Sequence, residues 1–301
     1  MTTLKLPQLQ NLCKRDAASH REDYDAQVTR LESECGILTL SGKSSHNQNL
    51  VELIQFIAAV SSSCYRKDGE ATKRATFFMN LLQNEMILQN SGNNVRDIRR
   101  SLVSALILMR NKGALKPLDL LELFFNIISQ LTAAEGSGCT SADKQLREKI
   151  HRHIVNDIRN VNKNGHNQAI NRKIQSFMHK VIAGVQDKST MSFANEVAAR
   201  RCVEMIVELY RRNVWTDERT IHILASAAAS PCASVMTRAC KFFLGIEDKM
   251  EMDASRRKDE EMAGATVNLH LHSKKTKVLI FICPVGLLSL IGRYFTFLYC
   301  T

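Results

Sequence analysis

The residues that could do chemistry are few, and their spacing argues against most of it. Gly42-Lys43-Ser44 has the ending of a phosphate-cradling loop, but that loop needs a glycine five places earlier, and position 37 is isoleucine. Gly36 is one residue off, and no parallel-sheet pattern follows. His151 and His153 stand two apart. On a helix they point about 200° from each other, so they cannot share a metal ion. His270 and His272 would share a face only on a strand, and no third ligand lies near. The nine cysteines (13, 35, 64, 139, 202, 232, 240, 283 and 300) form no CxxC pair. That pattern, without a signal peptide, reads as reduced thiols in the nucleus or cytosol. No HExxH or nucleophile elbow occurs. The expectation is no catalytic site, no metal, no cofactor and no small-molecule substrate.

What remains is positive charge. The chain has 41 Lys+Arg against 30 Asp+Glu, a formal net charge of +11 over 301 residues. That suits an anionic partner, most simply nucleic acid, or an ordinary basic surface. At about 100° per residue, Leu146, Ile150, Ile154, Ile158 and Val161 share one side of a helix. Lys149, Arg152, Asn156 and Arg159 share nearly the opposite side. Lys173 and Lys180 lie one heptad apart on the next helix, away from Ile170, Ile174, Phe177 and Val181. Lys149, Arg152, Arg159, Lys173 and Lys180 are therefore the candidate face for RNA or another anionic partner. A merely solvated face is the competing reading. Arg211, Arg212 and Trp215 make a second candidate, a corner where the indole stacks on a base. The alternative is a Trp packed between helices, with the arginines capping carbonyls.

The elements that must carry these residues are helices. The chain is 45% hydrophobic and 6% aromatic, with four prolines. Ile98, Leu102, Ala105, Leu106 and Met109 recur at helical spacing, and Gly113 can end that helix in the left-handed conformation. Pro117 then opens a helix in which Leu120, Leu121, Phe124, Phe125, Ile128 and Leu131 are apolar almost all round. Such a helix must be sandwiched, and Leu121, Phe124 and Phe125 are expected to be buried. Helix pairs start near residues 94, 142 and 193, the armadillo/HEAT scale. Thr216 is the expected N-cap of the helix after Trp215. Arg110-Asn111 and Arg212-Asn213 each precede a turn, a weak internal echo. The fold expected is an all-α, right-handed, armadillo/HEAT-like helical-repeat solenoid, with a compact bundle as alternative. It divides into an N-terminal helical segment and connector (1–45), a repeat domain (46–246), a charged linker (247–277) and a hydrophobic tail (278–301).

Four strings carry a family resemblance: LPQLQNLCKRD (6–16), ALILMRNKGALKPLDLLELFF (105–125), ELYRRNVWTDERT (208–220) and FFLG (242–245). In this order, over roughly residues 6–250, they resemble the severe-depolymerization-of-actin family of nucleolar factors. The resemblance implies a non-enzymatic scaffold for 60S pre-ribosomal subunit assembly and nuclear export. It also implies links to protein transport and actin organisation, and a place in the nucleus and nucleolus. Implied partners are pre-60S particles, both pre-rRNA and assembly-factor proteins.

From about Lys277 the resemblance stops. Val278–Cys300 is long enough to cross a bilayer and is flanked by Lys274, Lys275 and Lys277. It reads as a membrane anchor or as the divergent end of a truncated chain. Truncation is the expectation, because a ribosome-assembly factor has no evident use for an anchor. The rival function is a cytosolic or membrane-tethered solenoid adaptor that binds proteins.

Overall fold

Tyr24, Val28, Leu31, Cys35 and Leu38 fall three or four residues apart, and all five are buried. One helix therefore runs from Arg21 to Ser41. Within the expected segment and connector of residues 1–45, the chain stays helical as far as Ser41, because Cys35 and Leu38 continue the apolar stripe. The structure is a computed structural model that describes residues 5–41, 47–84, 87, 93–133, 141–163, 165, 167–185 and 193–245. The charged linker, the hydrophobic tail, His270, His272 and Gly42-Lys43-Ser44 lie outside the described residues.

Within them the chain is helical: α1 Leu6–Arg15, α2 Arg21–Ser41, α3 Asn47–Ser63, α4 Glu70–Gln83, α5 Asn93–Asn111 and α6 Pro117–Ala133. There follow α7 Ser141–Val161, α8 Gln168–Ala183, α9 Phe193–Arg211, α10 Glu218–Ala228 and α11 Ala233–Phe243. No strand occurs among the described residues. The first helices of three successive pairs begin at residues 93, 141 and 193, as the periodicity predicts. The N-cap of α10 is Asp217 rather than Thr216. The Asp217 carboxylate accepts hydrogen bonds from the Thr220 hydroxyl and from Gln175 Nε2 on α8, so it ties this helix start to its neighbour.

The helices form two rows. In the first, α3 packs on α5, α5 on α7, α7 on α9 and α9 on α11; in the second, α4 meets α6 and α8 meets α10. A ring contact between Phe125 and Phe177, 5.5 Å between centroids, joins α6 to α8. Polar links repeat at one-pair separations: Ser101 to the Val51 carbonyl, Lys149 to Ser104, Arg110 to Asp157, His151 to Glu208, and Arg219 to Ser176. Each spans 43 to 57 residues of sequence, which is the repeat expressed in hydrogen bonds rather than in periodicity.

The core centres on α6. Leu120, Leu121, Leu123, Phe124, Phe125, Ile127, Ile128 and Leu131 are all buried. A helix apolar on every side needs neighbours on every side, and α6 has α4, α5, α7 and α9. The α6–α9 packing departs from a plain stack, because it skips the intervening pair. The stripe of α9 explains it: Ala199, Cys202, Val203, Met205, Ile206 and Leu209 bury most of its circumference too.

Two turns share one design. After α5, Gly113 (φ 80°) donates its N–H to the Arg110 carbonyl, and Ala114 donates to Met109. After α9, Asn213 (φ 55°) donates to Tyr210, and Val214 to Leu209. Both are Schellman motifs. The equivalence runs Gly113 to Asn213, so the echo seen in the sequence as Arg110-Asn111 and Arg212-Asn213 is out of register by two residues.

His153 on α7 meets the edge of Phe124, 5.8 Å between ring centroids, and its Nε2 is buried without a hydrogen-bond partner. Burial pushes its pKa below the ordinary 6.5; Asp157 opposes that shift and Arg110 adds to it. The folded state thus favours the neutral ring, and the unfolded chain takes up the proton first as pH falls. The contribution to stability is complete above about pH 6.5 and is lost as pH drops through the lowered folded value. Urea midpoints measured from pH 7.5 to 5 should fall for the wild type and fall less for His153→Leu. Parallel profiles would refute the assignment.

Candidate nucleic-acid interface

Three directions on α7 decide where its charges go. Lys149 turns toward α5, where its ammonium donates to the Ser104 hydroxyl. Burial, and then the nearby Arg100 charge, lower its pKa. His151 turns toward α9, with Nε2 2.9 Å from Glu208 Oε2. Arg152 lies between these two directions on the helix wheel, and it is exposed together with Glu148, Asn156 and Arg159. Arg152 approaches Glu148 at 3.9 Å, with the two side chains 71% and 53% exposed, an ion pair of little energetic weight.

The expected five-residue face is therefore corrected. Lys149 belongs to the α5–α7 junction and is half-buried. Arg152 and Arg159 are on the surface of the first row. Lys173 and Lys180 are exposed, but they sit on α8 in the second row, apart from the α7 strip.

The corner is corrected as well. Trp215 is 2% exposed, because the Schellman turn drops Val214 and Trp215 into the core directly after Asn213. Its ring is not available to stack on a base. Arg212 donates to Glu208 Oε1, one turn back on its own helix, rather than to a helix carbonyl.

What these arginines do form is a groove. Arg201, Glu204, Glu208, Arg211 and Arg212 from α9, His151 from α7 and Arg238 from α11 line a cleft of ≈ 440 Å³. Arg201 Nη1 donates to Glu204 Oε2 at 2.9 Å. Among the described residues, four guanidiniums and two carboxylates line it, and two of the four, Arg201 and Arg212, pair with Glu204 and Glu208. Sequence reading did not bring Arg201, Arg238 and His151 together in one cleft. One signal was present: Arg201, Glu204, Glu208 and Arg211 recur at three- and four-residue spacing, along one side of the helix.

Among the described residues, no group of three or more His, Cys, Asp or Glu could hold a metal ion, and no helix is long and apolar enough to cross a membrane. The thiols of Cys35 and Cys202 are buried; burial is the main cause that pushes Cys35 up to about 12 and Cys202 well above its ordinary value.

Paired helices in two rows, linked at one-pair intervals and carrying an arginine-rich outer surface, define an α-solenoid protein of the HEAT kind. A family model described as SDA1, HEAT repeat, matches residues 56–279. The chain belongs to the SDA1 family. It is similar to the SDA1 homologue of Nematostella vectensis, 33% identical over 256 residues, covering 83% of this chain and 33% of that protein. The Xenopus laevis homologue is 33% identical over 243 residues, covering 81% and 31%. Protein sda1 of Schizosaccharomyces pombe is 30% identical over 288 residues, covering 90% and 37%. The chain thus spans about a third of the length of the curated relatives it matches.

Proposed function

We propose that the chain is a non-enzymatic scaffold of ribosome biogenesis. It holds pre-rRNA and assembly-factor proteins on 60S precursors in the nucleolus and nucleus, and it serves the export of those particles. Membership in the SDA1 family supports the reading. The structural observation that carries it is the basic surface of the first row, where Arg152 and Arg159 stand exposed on a helix whose other sides are packed. The same proposal includes a link to protein transport and, as an indirect effect, a link to actin organisation.

The test uses Arg152→Glu with Arg159→Glu. Lys149 is left alone, because reversing its charge would also break the bond to Ser104. The double variant should keep the wild-type helical spectrum and co-sediment less with 60S precursors. Its slope of log affinity for single-stranded RNA against log salt should be shallower by roughly 0.7 for each phosphate the variant no longer neutralises. A wild-type chain that sediments with membranes or with other proteins, but never with 60S precursors, overturns the scaffold reading in favour of the adaptor.

A further inference from the structure

Successive first-row helices hand over to their second-row partners at one edge of the stack. From α3 to α5, the Val51 carbonyl meets Ser101, and the Arg66 side chain reaches Gly113. From α5 to α7, Ser104 meets Lys149 and Arg110 meets Asp157. The order of these links makes the three helices parallel, so the turns after Ser63, Asn111 and Val161 lie side by side. Arg66, Lys67, Lys112, Lys116 and Lys163 are exposed on them, and none has an ion-pair partner among the described residues. Elsewhere the chain supplies such partners: Arg21 has Asp25, Arg30 has Glu34, and Arg74 has Glu32 and Glu70. Two carboxylates accompany the five cations. Asp68 faces Arg21, and Asp119 lies in the first turn of α6, where the positive end of the helix favours it.

A helix C-terminus attracts cations, which accounts for Lys112 after α5 and Lys163 after α7. It does not account for Lys116, which directly precedes the N-terminus of α6, where positive charge is disfavoured. Nor does the edge suit a docking protein. Protein interfaces draw affinity from buried aromatic and apolar anchors. The exposed large apolar side chains among the described residues are Ile37, Leu40, Met236 and Leu244, none of them on these turns. Charge without anchors suits a polyelectrolyte, whose binding gains from the release of its counterions. Two interaxial steps of about 8–10 Å spread the three turns over roughly 16–20 Å, a length of several nucleotides. Lys163 follows Arg159 by one helical turn, so the edge continues the exposed strip of α7. We propose that Arg66, Lys67, Lys112, Lys116 and Lys163 form a phosphate-binding edge that tracks the sugar–phosphate backbone of RNA across the α3–α4, α5–α6 and α7–α8 turns. The proposal rests on the scaffold reading and names a second surface by which the scaffold holds RNA without reading its sequence.

The probes are fluorescent twelve-nucleotide oligouridylate and oligoadenylate, with polyglutamate as competitor, on the full chain. Lys112→Gln with Lys163→Gln should keep the helical spectrum and weaken both oligonucleotides to a similar degree. The salt slope should become shallower by roughly 1.4 when two phosphates go unneutralised. Arginine at the same two positions should restore the slope, because charge is retained. Lys144→Gln with Lys180→Gln removes the same charge from the opposite edge, in the first turn of α7 and the last turn of α8, and should leave the slope nearly unchanged. If the edge variant loses helicity, Lys112→Gln alone should give half the change. An unchanged slope in a folded edge variant overturns the proposal, as does an equal change in the opposite-edge variant, which would reduce the effect to net charge. Polyglutamate displacing RNA at equal charge concentration also overturns it, making the edge a seat for acidic protein. Wild type that co-sediments with 60S precursors while the edge variant binds RNA normally sinks the edge alone; wild type that never co-sediments sinks the scaffold reading instead.

Discussion

Phe124→Ala should lower the stability of the fold by roughly 3–5 kcal/mol. Phe124 is fully buried in α6, with the His153 ring edge-on and the Ile154, Ile158 and Ile174 side chains around it. The space already beside the ring is ≈ 10 Å³, at the lower limit of what a single water occupies. The neighbours are thus close-packed and held by two other helices, α7 and α8, so they cannot all collapse into the hole. Both components of the cost follow: the forfeited transfer of the ring out of water and the cavity left behind. Phe177, which is only half-buried on α8, should cost less on the same truncation. Urea unfolding followed by far-UV dichroism gives the comparison. A Phe124→Ala chain with the wild-type midpoint would falsify the placement of α6 at the centre of the core.

Gly113→Val should cost roughly 1–3 kcal/mol, while Asn213→Gly should be close to neutral. Gly113 and Asn213 hold the same place in equivalent Schellman turns, both at positive φ. A branched Cβ at φ 80° meets the following carbonyl, whereas asparagine tolerates the left-handed region and glycine is free in it. A Cβ on Gly113 would also come 2.8 Å from Arg66 Nη2. That approach is to the end of a flexible side chain that can swing away, so the backbone supplies most of the cost. Gly113→Asn should fall between the extremes, since it imports the residue the other turn already uses. Equal midpoints for Gly113→Val and wild type would mean that the α5–α6 turn does not hold the geometry described.

The helices are legible because burial on one side writes a stripe into the sequence. Leu146, Ile150, Ile154 and Ile158 define the inward face of α7, and Pro117 and Gly113 mark where α6 begins and α5 ends. Gly36 disguises the continuity of α2, since a lone glycine inside a helix costs only about 1 kcal/mol and the burial of Cys35 and Leu38 outweighs it. The candidate site is less legible for a different reason. A helix wheel says how far Lys149 stands from the core stripe, but not that α5 lies on that side with Ser104 waiting. Arg201 and Arg238 are 37 positions apart in sequence and face one groove only because α11 returns to pack on α9. Trp215 cannot be placed without knowing that Asn213 takes positive φ and redirects the chain inward.

The packing of α6 on α9 sets how this solenoid gives way under load. A repeat array whose units touch only adjacent units can peel from either end, one pair at a time, with a broad and stepwise transition. Here α9 rests on α6 across an intervening pair, so α7 and α8 cannot detach while their two flanking neighbours stay in place. The three pairs from Asn93 to Ala228 are bolted together as a block, and they should melt in a single sharp transition. Stretched from its ends, the chain should shed α1 and α2 and hold its central length until it ruptures all at once. A scaffold with that mechanical character presents its arginine-bearing surface at a fixed pitch, as a stiff ruler rather than a spring.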